Sequence, residues 1–241
     1  MRAAIDALVV AVPAHDEADG LASTLGSIRR AQEFCRSGSF AVPVLRLVVA
    51  ADSCTDATAA TAARCGADVV EISHRMAGAA RAAAVARGLE SSGTRPETTW
   101  IATTDADCQV PPGWLTHQLR CARQGYHCVL GTVRISTVPH VAAGVRALHD
   151  AHYFAGRSDA AWSHPHIHGA NLGIRGDAYL RAGGFPAVPH SEDRALVEAL
   201  APGTHILRTD ACPVRTSGRA TPRAPHGFGT FLHGLGDRTG G

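Results

Sequence analysis

Lysine is missing from this sequence, because all 23 of its basic residues are arginine. Three enzyme classes depend on a lysine amine: P-loop nucleotide hydrolases, pyridoxal-phosphate enzymes and protein kinases. The sequence therefore excludes all three. Asparagine is nearly missing as well, with one copy at Asn171 among 241 residues.

Paired cysteines are also missing. The seven cysteines are scattered along the chain and no two of them form a Cys-x-x-Cys pair. This spacing disfavours a zinc ribbon and a thioredoxin-like dithiol. We expect reduced thiols in the core of a cytoplasmic protein.

No stretch of the sequence approaches 18 consecutive apolar residues, and the apolar run near the start is too short for a signal peptide. The net charge of +2 favours neither nucleic acid nor an anionic membrane as a partner. With 45% hydrophobic and 18% charged residues, the chain is suited to one globular domain. We therefore expect a soluble protein that inserts stably in no membrane.

Short apolar runs alternate with alanine-rich helical stretches in the first half of the chain. This alternation predicts an α/β fold with a mostly parallel, Rossmann-like sheet flanked by helices. The predicted strands are Leu8–Val12 (ended by Pro13), Val44–Ala50, Val69–Ile72 and Trp100–Thr104, and the predicted helices are Gly20–Phe34, Asp56–Cys65 and Gly78–Leu89.

The second half is less regular, and the last residues, Gly234–Gly241, are expected to fray as a tail. We predict helices over Trp114–Gln124, Ala142–Phe154 and Ser191–Leu200, and a strand over Gly131–Ile135.

Acidic residues follow three of the predicted strands, where ligands bind in parallel sheets. The sharpest example is Asp105-Ala106-Asp107, after a buried strand. Two carboxylates at this spacing can reach one divalent cation, and Mg²⁺ and Mn²⁺ prefer such oxygen ligands. Asp52, after the second strand, suits a base or ribose, although a turn with a helix cap explains the same segment.

Several motifs in order resemble family 2 glycosyltransferases with the GT-A fold. They lie between residues 8 and 233, and Thr104-Asp105-Ala106-Asp107 matches the metal-binding motif of that family. The others are Pro13-Ala14-His15-Asp16-Glu17, Ala51 to Thr58, Gly78 to Gly88, Gly169-Ala170-Asn171, Gly183-Gly184-Phe185 and Ser191-Glu192-Asp193.

The resemblance implies one domain over 1–233, with a nucleotide-sugar half (about 1–110) and an acceptor half (about 111–233). It also implies a nucleotide-diphosphate sugar as donor, a UDP-sugar first, and Mn²⁺ or Mg²⁺ at Asp107 and Asp105, with His226 as a further ligand. The predicted donor-site residues are Pro13, Ala14, Glu17, Asp52, Arg81, Asp105, Ala106, Asp107, Arg219 and Arg223.

On the acceptor side, the resemblance implies that Asp193, beside Glu192, is the general base of an inverting transfer. A helix N-terminus that favours acidic residues explains the same pair. A small soluble acceptor is expected to contact Gly169, Asn171 and Trp114. The oligomeric state is left open, with a homodimer as one option.

Two departures from the family pattern keep other readings open. Ala51 and Ala82 stand where the family has Asp and Asn, which leaves room for a nucleotide-sugar-binding protein without turnover. A retaining transferase of related fold is a further alternative. A sugar nucleotidyltransferase is disfavoured, because the segment after the first strand lacks a glycine-rich basic loop.

Three histidines alternate in the stretch from Ser163 to Asn171, at His164, His166 and His168. In an extended strand they share one face and could bind a metal. Pro165 disfavours a regular interior strand, so an acceptor-site loop is the alternative.

Overall fold

The computed structural model describes residues 4–38, 42–136, 147, 150–151, 153–155, 157 and 162–217. Strands and helices alternate through the first half, as the sequence predicts. In chain order the elements are β1 (Ala7–Ala14), α1 (Ala18–Ser37), β2 (Val44–Asp52), α2 (Thr58–Arg64), β3 (Asp68–Ile72), α3 (Ala77–Ser92), β4 (Thr99–Thr103), β5 (Cys108–Gln109), α4 (Trp114–Arg123), β6 (Cys128–Ile135), β7 (Leu172–Arg175), α5 (Gly176–Arg181), α6 (Glu192–Glu198) and β8 (Ile206–Thr216), with 3₁₀ turns at Pro96–Thr98 and Gly169–Asn171.

The eight strands within the described residues form one sheet in the order β3-β2-β1-β4-β7-β6-β8-β5. The four strands from the first half, β3, β2, β1 and β4, are mutually parallel. Beyond them the sheet is mixed, because β7 is antiparallel to both β4 and β6, whereas β6 and β8 are parallel. This is the expected α/β fold in a single domain. The division into halves at about residue 110 stays a prediction.

The apolar runs form strands because both faces of the sheet are covered by helices. Leu8 and Val10 of β1 face a core cluster that includes residues of α1 and α4. Ala11 faces the opposite cluster, which includes Ala84 and Val85 of α3. The molecule therefore has a layer of helices on each side of one sheet.

Pro13 lies inside β1, so the predicted end of that strand was wrong. β1 pairs with β4 only as far as Ala11, whose carbonyl accepts the N–H of Thr104. The backbone nitrogen of Pro13 faces the same neighbouring strand as the backbone of Ala11. That strand is β4, and Pro13 lies beyond its end. Its missing N–H therefore breaks no ladder hydrogen bond.

The sequence analysis missed β5, β7, α5 and β8. The longest of them, Ile206–Thr216, contains Arg208, Asp210 and Pro213, which broke the apolar pattern. It is a strand because it pairs with both β6 and β5. Most of the predicted helix Ala142–Phe154, and the tail from Gly234, lie outside the described residues. Among the described residues, no helix is long and apolar enough to span a membrane.

Candidate active site

The carboxyl-terminal end of β4 carries the two aspartates of the Asp-x-Asp motif. A carboxylate oxygen of Asp105, one of Asp107 and the Sγ of Cys108 lie within 4.8 Å of one another. The turn is closed by the N–H of Cys108, which donates to the Asp105 carbonyl at 3.1 Å. Ala106 between them is buried, and its carbonyl accepts the hydroxyl of Thr24 at 2.8 Å. The turn therefore presents both carboxylates at one edge of the sheet.

Ser217, directly after β8, lies against this motif. Its hydroxyl donates to the carboxylate of Asp107, and its N–H donates to the Asp107 carbonyl at 3.1 Å. The sequence analysis selected the nearby Arg219 and Arg223 for their charge. It missed Ser217, because no motif or charge marks this serine as a site residue. Arg219, Arg223 and His226 lie outside the described residues, so their roles stay predictions.

Arg81 was expected near the donor phosphates or the acceptor, and this contact stays a prediction. Its guanidinium lies between two carboxylates. It forms ion pairs with Asp105 through Nη2 and with Glu192 through Nη1. Only 5% of the residue is exposed. Its positive charge is therefore already shared between the first half of the chain, at Asp105, and the second half, at Glu192.

Asp193 also lies close enough to Asp105 to affect its ionisation. Burial raises the pKa of Asp105; the Arg81 guanidinium opposes this shift, while the charges of Asp107 and Asp193 add to it. Asp193 Oδ2 accepts the N–H of Gly169 at 2.8 Å. The predicted base is thus the residue next to Glu192, which Arg81 connects to the predicted metal ligand Asp105.

Asp52 does not point freely into the site. Its carboxylate accepts the backbone N–H groups of His74, Arg75 and Met76 at 2.7–2.8 Å, and the hydroxyl of Ser53 at 3.0 Å. Burial alone raises the pKa of Asp52, but these hydrogen bonds outweigh it and the net pKa is lowered. Asp52 therefore anchors the loop between β3 and α3, and its predicted base or ribose contact stays a prediction.

The segment after β1 is tied to the segment after β2. The N–H of Glu17 donates to the hydroxyl of Thr58 at 2.7 Å, and Asp16 accepts the N–H of Thr55 at 2.6 Å. The Thr55 hydrogen bond is the main cause of the lowered pKa of Asp16. Pro13 and Ala14 form the end of β1 itself. The predicted donor residues of both segments thus lie at the edge that carries Asp105.

Sequence reasoning missed His15 as a site residue in its own right. Its Nδ1 lies 2.7 Å from the carbonyl of Asp52, so this nitrogen carries the donated proton. Its Nε2 is 3.4 Å from the guanidinium of Arg75. Its position next to the acidic residues Asp16 and Glu17 was the feature of the sequence that could have identified it.

Trp114 and Asn171, predicted to contact the acceptor, lie in the core. Trp114 is fully buried, and its Nε1–H donates to Asn171 Oδ1 at 2.9 Å. Asn171 Nδ2 donates to the carbonyls of Thr132 and Cys212 at 2.9 and 3.0 Å. The two side chains join α4, β6 and β8 and leave almost no surface for an acceptor.

The three alternating histidines do lie on one face, with neighbouring rings stacked at 5.7 and 5.9 Å between centroids. His164 is buried and its Nε2 lies 3.0 Å from the carbonyl of Leu130, while His166 Nε2 lies 2.7 Å from the carbonyl of Tyr153. Their Nε2 atoms therefore hold the segment in place through backbone carbonyls. Among the described residues, they are not part of a cluster suited to a metal ion.

The Asp-x-Asp cluster fits a divalent cation by the chemistry of its donors. Asp105 and Asp107 offer carboxylate oxygens, which Mg²⁺ and Mn²⁺ prefer. Cys108 offers a sulfur atom, a softer donor that suits Mg²⁺ and Mn²⁺ less well than a carboxylate oxygen does. The two aspartates are thus the residues of this cluster that would hold a hard metal ion.

Solved glycosyltransferase structures have the same fold as this chain. S. aureus TarS 1-349 in complex with UDP-GlcNAc matches with a TM-score of 0.64 at 14% identity, covering 93% of this chain and 62% of that one. Mannosyltransferase PcManGT from Pyrobaculum calidifontis, in complex with GDP-Man and Mn²⁺, matches with a TM-score of 0.61 at 19% identity, covering 95% and 60%. This chain thus spans about three fifths of the length of either structure.

The sequence comparison agrees with the structural one. No curated protein sequence matches the chain. The sequence profile of Glycosyl transferase family 2 matches residues 9–180, which is well over half of the chain. The fold is of the GT-A type that the motifs led us to expect. The chain therefore belongs to glycosyl transferase family 2.

Proposed function

We propose that this protein transfers one sugar from a nucleotide-diphosphate sugar to a hydroxyl of a soluble acceptor, with inversion and with a bound Mn²⁺ or Mg²⁺. The observation that carries the proposal is the pair of carboxylates at Asp105 and Asp107, which Arg81 connects to Glu192, the residue before Asp193. A UDP-sugar is the first candidate donor. TarS with UDP-GlcNAc and PcManGT with GDP-Man and Mn²⁺ support a nucleotide sugar and a metal as ligands.

Asp107 and Asp105 would hold the metal ion. When bound, such an ion acts as a Lewis acid that stabilises the negative charge of the leaving nucleotide diphosphate. Asp105 remains paired with Arg81, so its orientation is fixed by the protein. Asp107 is held by Ser217 and lies on the side where β8 ends. Both carboxylates are thus oriented before any ligand binds.

Asp193 would act as the general base. In a single displacement the acceptor oxygen forms a bond to the anomeric carbon, and the bond to the nucleotide diphosphate breaks. The hydroxyl proton passes to the carboxylate of Asp193. The hydrogen bond from Gly169 holds Oδ2 of that carboxylate in place. A retaining transferase would need no base at this position, and the anomeric form of the product separates the two.

Thermal unfolding tests the donor site first. We expect the melting temperature to rise with one of UDP, GDP, dTDP or CDP, only when Mn²⁺ or Mg²⁺ is present. A nucleotide at about 100 times its dissociation constant adds about 2.7 kcal/mol to the free energy of unfolding. Asp107→Ala should lose the rise. If no nucleotide raises the melting temperature of the wild type, the donor-site assignment is wrong.

Turnover tests the base. Asp193→Asn should keep the nucleotide-induced rise in melting temperature and lose at least about 100-fold in transfer rate, in the range of general-base catalysis. Glu198→Gln is the matched control, because Glu198 lies on the same helix and is exposed. Binding without any transfer by the wild type would instead favour a nucleotide-sugar-binding protein.

A further inference from the structure

Arg81 is a buried charge that bridges distant parts of the chain. It lies in α3, and its two terminal nitrogens pair with Asp105 after β4 and with Glu192 at the start of α6. The side chain of Arg81 is 6% exposed, and that of Glu192 is 9% exposed. A charged group so far from water is stable only when it is paired, so this bridge is part of the folded state.

The space around the Arg81 bridge is tightly filled. A Cβ added at Gly169 would lie 2.5 Å from Arg81 Cζ, and one added at Gly78 would lie 2.9 Å from the Cβ of Glu192. The ring of Phe185 covers the guanidinium, with its centroid 5.9 Å from Cζ. Two glycines and an aromatic ring thus enclose the bridge.

The bridge reaches Asp193 through its neighbour in sequence. Glu192 is bound by Arg81, and Asp193 is bound by the N–H of Gly169 at 2.8 Å. Gly169 in turn packs against Arg81, and its carbonyl accepts the hydroxyl of Thr103, the last residue of β4. The first turn of α6 is therefore fixed to the strand that delivers the Asp-x-Asp motif.

We propose that Arg81 is a positioning residue, which acts through Glu192 to set Asp193 against Asp105 and Asp107. This inference rests on the proposed function for the role of Asp193. Arg81 need not touch either substrate. Its part is to join the donor side of the site to the acceptor side, so that their separation is fixed in the unliganded protein.

Replacing Arg81 with lysine tests the geometry of its side chain separately from its charge. Arg81→Lys keeps the positive charge, but an ammonium group cannot reproduce the planar fork that pairs with two carboxylates in fixed directions. Glu192→Gln breaks the same bridge from the other side. If the lysine variant does not fold, Glu192→Gln keeps the test intact. Arg175→Lys is the matched control, since Arg175 pairs with Asp177 in α5.

Steady-state kinetics with the donor found by the thermal panel give the first readout. We expect Arg81→Lys and Glu192→Gln each to lower kcat by about 10- to 100-fold, in the range that misplacement of about 1 Å causes. The KM for the donor should stay within about twofold in Glu192→Gln, which leaves the pair of Arg81 and Asp105 in place, and the double variant should be no slower than the slower single variant. Arg175→Lys should match the wild type. Unchanged kcat in Arg81→Lys, or losses that multiply in the double variant, would overturn the inference.

Hydrogen exchange of the Gly169 amide gives a second readout, which needs no turnover. This N–H donates to Asp193, so it should exchange faster in Arg81→Lys and Glu192→Gln than in the wild type and Arg175→Lys. Equal exchange rates of this amide in all four proteins would contradict the inference that the Arg81 bridge positions Asp193. A wild type without turnover would reject the proposed function alone, while the exchange rates would still decide whether Arg81 positions Asp193.

Discussion

Aspartates in this protein differ in what their carboxylates contact, and these contacts set their ionisation. Asp52 accepts three backbone N–H groups of one loop, whereas Asp105 shares an arginine with Glu192. The first arrangement lowers the pKa and the second leaves it raised by burial. The same residue type at the carboxyl ends of β2 and β4 thus has a structural role in one place and faces the site in the other.

Asp177 gives a test of this relation away from the site. Burial raises its pKa, but the hydrogen bonds and charges of Arg175 and Arg181 outweigh that and lower the pKa to about 2. Asp177→Asn should therefore reduce the free energy of unfolding by about 1–2 kcal/mol at pH 7. Urea unfolding measures the difference.

The pH dependence follows from the direction of that shift. The stabilisation by Asp177 is complete above the unfolded pKa near 4, and it is lost as the pH falls toward the folded value of about 2. The difference between wild type and Asp177→Asn should fall by about half at pH 3. Glu71→Gln, at an exposed position on β3, serves as the control. A difference that is constant from pH 7 to pH 3 would contradict the lowered pKa.

At the scale of elements, α3 packs unusually close to β1. It approaches through Gly88, where an added Cβ would lie 2.2 Å from Val9 Cγ1. Val9 is fully buried and cannot move into open space. The glycines and alanines of this helix therefore set its distance from the sheet, and with it the position of Arg81.

Gly88→Ala should lower the free energy of unfolding by about 1–3 kcal/mol, because it overpacks this contact. Gly20→Ala in α1 should instead be neutral or stabilising, since its Cβ meets no heavy atom of the described residues within 4 Å and alanine favours helix. Chemical denaturation compares the two. Val9→Ala, added to Gly88→Ala, should restore part of the lost free energy of unfolding. A double variant that is less stable than Gly88→Ala would contradict the steric explanation.

The periodicity of the sequence predicted the parallel elements well, because buried strands and alanine-rich helices have strong patterns. It failed for β8, where Arg208 and Asp210 lie in a strand that is only partly buried. It also could not show that Trp114 and Asn171 bind each other, since they are 57 positions apart. Motif order located Asp105, Asp107 and Asp193, but only the tertiary structure showed that Arg81 is bound by carboxylates.

At the scale of the whole molecule, the Trp114–Asn171 pair holds the mixed half of the sheet against α4. Trp114→Phe keeps an aromatic ring and removes the N–H that donates to Asn171. We expect a loss of about 1–3 kcal/mol in the free energy of unfolding, because a buried acceptor is left unpaired.

The same variant tests the predicted acceptor contact. Because Trp114 is fully buried, Trp114→Phe should leave the KM for the acceptor within about twofold of the wild type. Trp162→Phe is the control for loss of a buried tryptophan elsewhere in the predicted acceptor half. A large rise in acceptor KM for Trp114→Phe, but not for Trp162→Phe, would indicate that Trp114 contacts the acceptor.

The reversed strand β7 has a consequence for how this molecule could change. Because β7 runs antiparallel to β4, with Thr103 opposite Leu172, the chain leaves β4 and enters β7 at the same edge. Asp105 and Gly169 therefore lie just beyond the paired ends of two neighbouring strands, and the hydroxyl of Thr103 donates to the Gly169 carbonyl. Acceptor-side segments could be exchanged between relatives. The paired ends of β4 and β7 would still set the distance between Asp105 and Gly169.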